Sequence, residues 1–167
     1  MNDIAEAIMN AAERRIRDAG YNGFSFREIA ADVGVKSSSV HYHFPTKERL
    51  AAAVARRYTE RFQAAVIAEC EAGADTAEAW KRVFRRTIVE DGQTCLCGAL
   101  GAAARDLPQE VAVEVKRFFT SGIEMLTDGG IERGNAIKLF ATLEGAMLVA
   151  NTLGDTGAFD EAMAAAR

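Results

Sequence analysis

The chain has 167 residues, two of them proline, three cysteines and a net charge of −4. Abundant alanine and scarce β-branched runs point to an all-α protein. No run of about 18–20 apolar residues is apparent, which argues against a membrane span. Asp3 and Glu6 interrupt the stretch where a secretory leader would be apolar. An odd cysteine count with a close Cys95-x-Cys97 pair is no disulfide framework, so reduced thiols and a cytoplasmic location are expected. A chain of this length buries roughly 70% of its unfolded surface, enough for a small three-helix lobe (residues 1–49) and a larger helical lobe (50–167). No independent linker or repeat separates them.

In chain order, the first predicted helix runs from Asp3 to Ala19, with Ile4, Ile8, Ala11, Ala12 and Ile16 on one face. Ser25, three residues before Glu28, is a capping box that opens a second helix. Ile29, Ala30 and Val33 give that helix its apolar face. Gly34 ends it, because glycine enters the left-handed region without a Cβ clash. Ser37 is a good N-cap for a third helix, which Pro45 closes. This spacing is that of a helix-turn-helix.

On a helical wheel, Val40 and Phe44 face inward, about 40° apart. Ser38, Tyr42 and Ser39 lie near 160°, 200° and 260° from Val40, facing away from the core. A short helix with that polar surface suits the major groove of DNA. His41 and His43 flank it and would meet phosphates, with Ser37 at its start. Lys36 and Lys47 bracket it as phosphate clamps, and Arg27 can make a bidentate contact with guanine. His41 and His43 point about 200° apart and cannot chelate one ion, so no metal site is expected.

Charge is the feature least suited to DNA. Residues 1–50 carry Arg14, Arg15, Arg17, Arg27, Lys36, Lys47 and Arg49 against Asp3, Glu6, Glu13, Asp18, Glu28, Asp32 and Glu48, so the first lobe is neutral. Local rather than net charge governs phosphate contact, but a neutral lobe predicts weak non-specific affinity and a need for dimerisation.

A fourth helix is expected from Lys47 to about Cys70, with Leu50, Val54, Tyr58, Phe62 and Val66 on a stripe that drifts about 40° per step. Asp75 opens a fifth helix carrying Trp80, Val83, Phe84, Thr87 and Ile88. A sixth is expected from Cys95 to Asp106, and a seventh after Pro108, with Val111, Val115, Phe118, Phe119 and Leu126 inside. Leu139 to Ala150 is apolar nearly all round, as a helix packed on its own core and on a second subunit would be. Gly122 and Gly145 permit close helix approach, and a final helix begins near Phe159.

The run Gly20-Tyr21-Asn22-Gly23-Phe24, then Ile29-Ala30, Gly34-Val35, Ser39-Val40-His41-Tyr42-His43-Phe44 and Thr46-Lys47-Glu48-Arg49-Leu50, resembles the DNA-binding domain of the tetracycline-repressor (TetR/AcrR) family. The likeness passes without a gap through three helices. It departs at His41, where the family usually has tyrosine. The resemblance implies a homodimeric transcriptional regulator, most often a repressor, bound to a palindromic double-stranded operator and released by a small-molecule effector. It also supports Arg27 as a base reader.

Trp80, Phe84, Phe118, Phe119, Met125 and Met147 would line an apolar effector pocket by the same likeness, although aromatic stripes at helical spacing are more often core. Glu144, alone in an apolar helix, suits a cationic ligand or a pairing across a dimer. The segment Cys95-Leu96-Cys97-Gly98-Ala99-Leu100 resembles a stretch in a TetR subgroup that includes repressors responsive to electrophiles. That likeness offers Cys95, with Cys97 beside it, as a sensing thiol near a helix N-terminus. Against it, Glu90 and Asp91 would raise a nearby thiol, and buried free cysteine commonly serves as a small apolar residue. The sequence contains no general base or cofactor site for an enzyme. A helical interaction protein with a lapsed helix-turn-helix is the remaining alternative.

Overall fold

In the computed structural model, residues 3–90 and 92–165 are described; Asp91 lies outside them. The elements are α1 (Asp3–Ala19), α2 (Phe26–Val33), α3 (Ser37–His43), α4 (Lys47–Glu71), α5 (Thr76–Val89), α6 (Leu96–Gly101), α7 (Gln109–Asp128), α8 (Arg133–Leu153) and α9 (Gly157–Ala165). Short 3-10 turns occur at Tyr21–Gly23 and Ala104–Asp106. No strand occurs among the described residues, so the architecture is all-α.

The helix starts follow from local hydrogen bonding. The Glu28 amide donates to Ser25 Oγ (3.3 Å), the Arg49 amide to Thr46 Oγ1 (3.2 Å) and the Glu78 amide to Asp75 Oδ1 (2.8 Å). Each side chain satisfies a donor that the first helical turn leaves open. Gly34 closes α2 at φ 75°. Its own amide reaches Ala31 O, and the Val35 amide reaches Ala30 O at 3.0 Å, a Schellman closure that turns the chain sharply into α3.

The described residues up to Tyr58, together with Leu96–Arg117, form one compact unit; Thr59–Cys95 and the described residues from Phe118 onward form a second. In the first unit, Ile8, Ile16, Ile29, Val40, Leu50 and Val54 are wholly buried between α1, α2, α3 and the first half of α4. Leu96, Cys97 and Leu100 of α6 are buried too, with α6 packed on α1. In the second unit, Phe62, Trp80, Phe84, Phe118 and Phe140 stack into one aromatic cluster. Gly122 is where α7 passes the Trp80 and Phe140 rings, and a Cβ there would collide with both.

Several expectations are corrected. α3 starts with Lys36 as its cap residue, and no side chain caps it; Ser37 is already helical. Phe44 is half-buried, standing just past the end of α3 at His43. The sixth helix is shorter than expected, and Cys95 precedes it. Ile4 is exposed at the outer end of α1. α9 begins at Gly157, slightly before Phe159.

α8 also proves long and apolar enough by composition to cross a membrane, contrary to the reading that no such stretch exists. Its apolar residues divide into two sides. Ala136, Phe140, Leu143, Met147 and Ala150 are buried in the chain's own core, whereas Ile137, Leu148, Val149 and Leu153 face outward. Gly145 belongs to the outward side, with open space where a Cβ would stand.

Candidate nucleic-acid interface and effector region

Fixing α3 by one residue exposes the rest. Val40 is wholly buried, and with the Gly34 turn it sets the rotation of the helix. Tyr42 is consequently 83% exposed. Ser38 is exposed beside it and Ser39 half-exposed. The polar face expected from the wheel is thus presented as one surface. Ser37 is half-buried at the helix start, while Lys36 and Arg27 are exposed.

The flanking residues are held more tightly than sequence indicated. The His41 ring stands edge-on to Phe26 with centroids 4.6 Å apart, and His43 packs edge-on to Tyr42 at 5.1 Å. Lys47 places its Nζ over the rings of Tyr21 (4.7 Å) and Phe24 (4.6 Å). Burial against those rings holds its ammonium below the usual lysine range. The Tyr21 hydroxyl donates to Glu48 (3.2 Å), and burial pushes that phenol up to about 12. Lys47 therefore fastens the turn after α1 to the start of α4 through cation–π contacts.

Ion pairing explains how a neutral lobe keeps a positive surface. Arg15 spans Asp32 (2.5 and 3.0 Å) and Glu28 (3.2 Å), tying α1 to α2. Arg57 of α4 donates to Glu13 (2.8 Å), and Arg17 lies 3.8 Å from the same carboxylate. Arg56 pairs with Glu114 of α7 at 2.6 Å. Three of the seven acids in residues 1–50 are so engaged. Arg27 and Lys36, beside the exposed face of α3, make no ion pair among the described residues. Sequence counting could not see this, because Glu13 and Arg57 are 44 positions apart.

The Arg15 pairs carry a pH signature. The Arg15 hydrogen bond holds the Asp32 carboxyl below its ordinary value. The Ser25 hydroxyl, followed by the Arg15 charge, does the same for Glu28. A carboxylate depressed by folding stabilises above its unfolded pKa and loses that contribution as pH falls through the folded one. The stability advantage of the native chain over Asp32→Asn should be constant near neutrality, begin to shrink as pH nears the unfolded carboxyl's value of about 4, and go on falling below it. Thermal melts of both proteins from pH 7 to pH 3 would check it.

In the second unit, the structure gathers part of the expected effector set. Trp80, Phe84 and Phe118 join the aromatic cluster, with Phe119 at its edge, 5.5 Å from both Phe118 and Phe140. Phe62 and Phe140 also belong to it. Each was legible as apolar periodicity, but neither stood out as a site residue. Met125 is half-buried on α7 and joins no ring.

Cys95, Glu144 and Met147 come together. The Cys95 amide donates to Met147 Sδ at 2.8 Å, and its thiol bonds the Glu144 carboxyl. Burial pushes that carboxyl up to about 7. Cys95 is wholly buried. Cys97 belongs to the first unit, in α6. No group of three or more His, Cys, Asp or Glu residues capable of holding a metal occurs among the described residues.

The glycine-turned helix pair that presents Ser38, Ser39 and Tyr42 to solvent is a helix-turn-helix set in an all-α chain. Residues 8–54 match the family described as bacterial regulatory proteins, tetR family. Solved structures agree over nearly the whole chain. A TetR-family transcriptional regulator from Agrobacterium tumefaciens is 29% identical, with a TM-score of 0.85, over 94% of this chain and 92% of its own. A TetR transcriptional regulator from Legionella pneumophila is 28% identical, TM-score 0.86, with coverages of 96% and 94%. The reduced form of NemR from E. coli shares the fold at 19% identity, TM-score 0.83, covering 99% and 96%. Among curated proteins, no sequence matches the chain. Residues 8–54 are thus similar to the tetR family's regulatory proteins, and the chain as a whole shares the fold of TetR-family regulators.

Proposed function

We propose that this chain is a homodimeric repressor that holds a palindromic operator and is released by a small-molecule effector. The observation that carries the reading is the exposed Ser38–Ser39–Tyr42 face on a helix anchored by Val40. Each subunit lays that face in the major groove of one half-site. Lys36, Ser37, His41, His43 and Lys47 stand along its borders toward the phosphates, and Arg27 stands toward a guanine edge. Residues 1–49 act as the DNA-binding part and 50–167 as the effector and dimerisation part, working in the cytoplasm. The outward face of α8 supports the dimer: Ile137, Ala141, Gly145, Leu148 and Val149 recur at helical spacing and are exposed, an apolar stripe that a second copy would cover.

Fluorescence anisotropy against DNA flanking the chain's own gene tests this. Affinity should fall steeply as salt rises, because binding releases condensed counterions. Salt-insensitive binding, or none to any flanking segment, would favour the lapsed interaction protein. The thiol-sensing alternative requires an electrophile to reach Cys95, and the burial of that thiol weighs against it.

A further inference from the structure

Among the described residues of the second unit, two buried side-chain polar atoms lack hydrogen-bond partners. Oε1 of Glu144 and Nε1 of Trp80 are both buried and bonded to nothing. Native cores leave few such groups, and those that remain call for a ligand, a water or an ion. Phe140 links the pair. Its ring lies 5.1 Å from that of Trp80, and Glu144 follows it by one helical turn on α8, about 6 Å along the axis.

The chemistry of the missing partner follows from the donors and acceptors present. Glu144 offers a carboxylate oxygen, and no Lys or Arg pairs with it among the described residues. Around Phe140 stand the rings of Trp80, Phe84 and Phe118, whose faces carry negative quadrupole potential and attract cations. A neutral apolar ligand would satisfy the rings and leave the carboxylate orphaned. An anion would be repelled by both. The carboxyl is held near 7 by burial alone against the Cys95 bond, so an arriving positive charge would favour its ionised form.

We propose that the second unit binds a lipophilic organic cation, its charge neutralised by Glu144 and its body laid against the Trp80 and Phe140 rings. The indole Nε1–H donates to an acceptor where the ligand carries one. This names the chemical class of the effector and rests on the effector-release reading above.

Trp80 is the only tryptophan in the chain, so its fluorescence reports on this core alone. The full chain would be titrated with tetraphenylphosphonium and benzyltriethylammonium, and with tetraphenylborate, the anion matching the first in shape. Saturable quenching by either cation and none by the borate is expected. Glu144→Gln should bind the cation at least tenfold more weakly with an unchanged circular dichroism spectrum. Glu144→Leu should lose cation binding while melting at a higher temperature, which separates lost charge from lost fold. Equal responses to phosphonium and borate, no saturable response to either cation, or Glu144→Gln binding like the native chain would each overturn the site. A cation that binds without releasing operator DNA supports the site and overturns the effector reading alone.

Discussion

Tyr42→Ala is expected to weaken operator binding by at least thirtyfold while the melting temperature hardly moves. Tyr42 is 83% exposed, and its ring contact is with His43, itself at the helix end. Surface substitutions of this kind change stability by about 0.5 kcal/mol or less. A direct base or phosphate contact is worth about 1–3 kcal/mol, and a dimer loses it twice. Two losses of about 1 kcal/mol give roughly thirtyfold. Anisotropy with the native operator, beside a thermal melt, measures both. Unchanged affinity would remove α3 from the groove. A melting temperature lower by several degrees would instead make Tyr42 a packing residue.

Glu13→Ala should destabilise the first unit strongly, costing about 3 kcal/mol. Glu13 and Arg57 have side chains only 9% and 14% exposed, and Arg17 is buried on the other side of the carboxylate. Nε and Nη1 of Arg57 already lack hydrogen-bond partners. Removing the carboxylate leaves the buried Arg57 guanidinium without its acceptor, and breaking one member of a buried pair typically costs about 3–5 kcal/mol. For a chain of this size, that corresponds to a drop of about 6–12 °C in melting temperature. Replacing the pair together, Glu13→Leu with Arg57→Met, should recover much of the loss, since Arg57 is then no longer a buried charge without its carboxylate. If the double variant melts as low as the single one, packing rather than charge is what Glu13 supplies.

These two residues also mark what sequence could and could not convey. Tyr42 was readable because everything that orients it is local. Gly34, Val40 and the 100° step of the helix lie within eight positions of it, and they decide its exposure without outside help. The same holds for the starts at Ser25, Thr46 and Asp75, where cap and amide are three residues apart.

Glu13 was not readable. A charged residue on an amphipathic helix ordinarily belongs to the solvated face, and its partner sits on another helix far along the chain. The sixth helix was overextended for a related reason. The residues up to Asp106 fit a helical period, but the α-helix stops at Gly101, where the Ala103 amide bonds back to Leu100 O and a 3-10 turn follows. Glu144 stood out in sequence as a lone acid in an apolar helix, but its direction did not. Only the fold shows its carboxyl turned toward Cys95 instead of outward with Gly145 and Leu148.

The shortness of α3 has a thermal consequence. Seven residues fall well under the length of about 12–15 at which an isolated helix becomes even marginal in water, and no side chain caps its start. Its shape is borrowed from α2 through Val40 and the Gly34 turn. Under the DNA-binding role proposed above, sequence reading is therefore no more heat-resistant than the packing beneath it. As the first unit loosens on warming, the surface that distinguishes one DNA sequence from another dissolves in the same transition, and residual binding above that temperature would be indifferent to sequence.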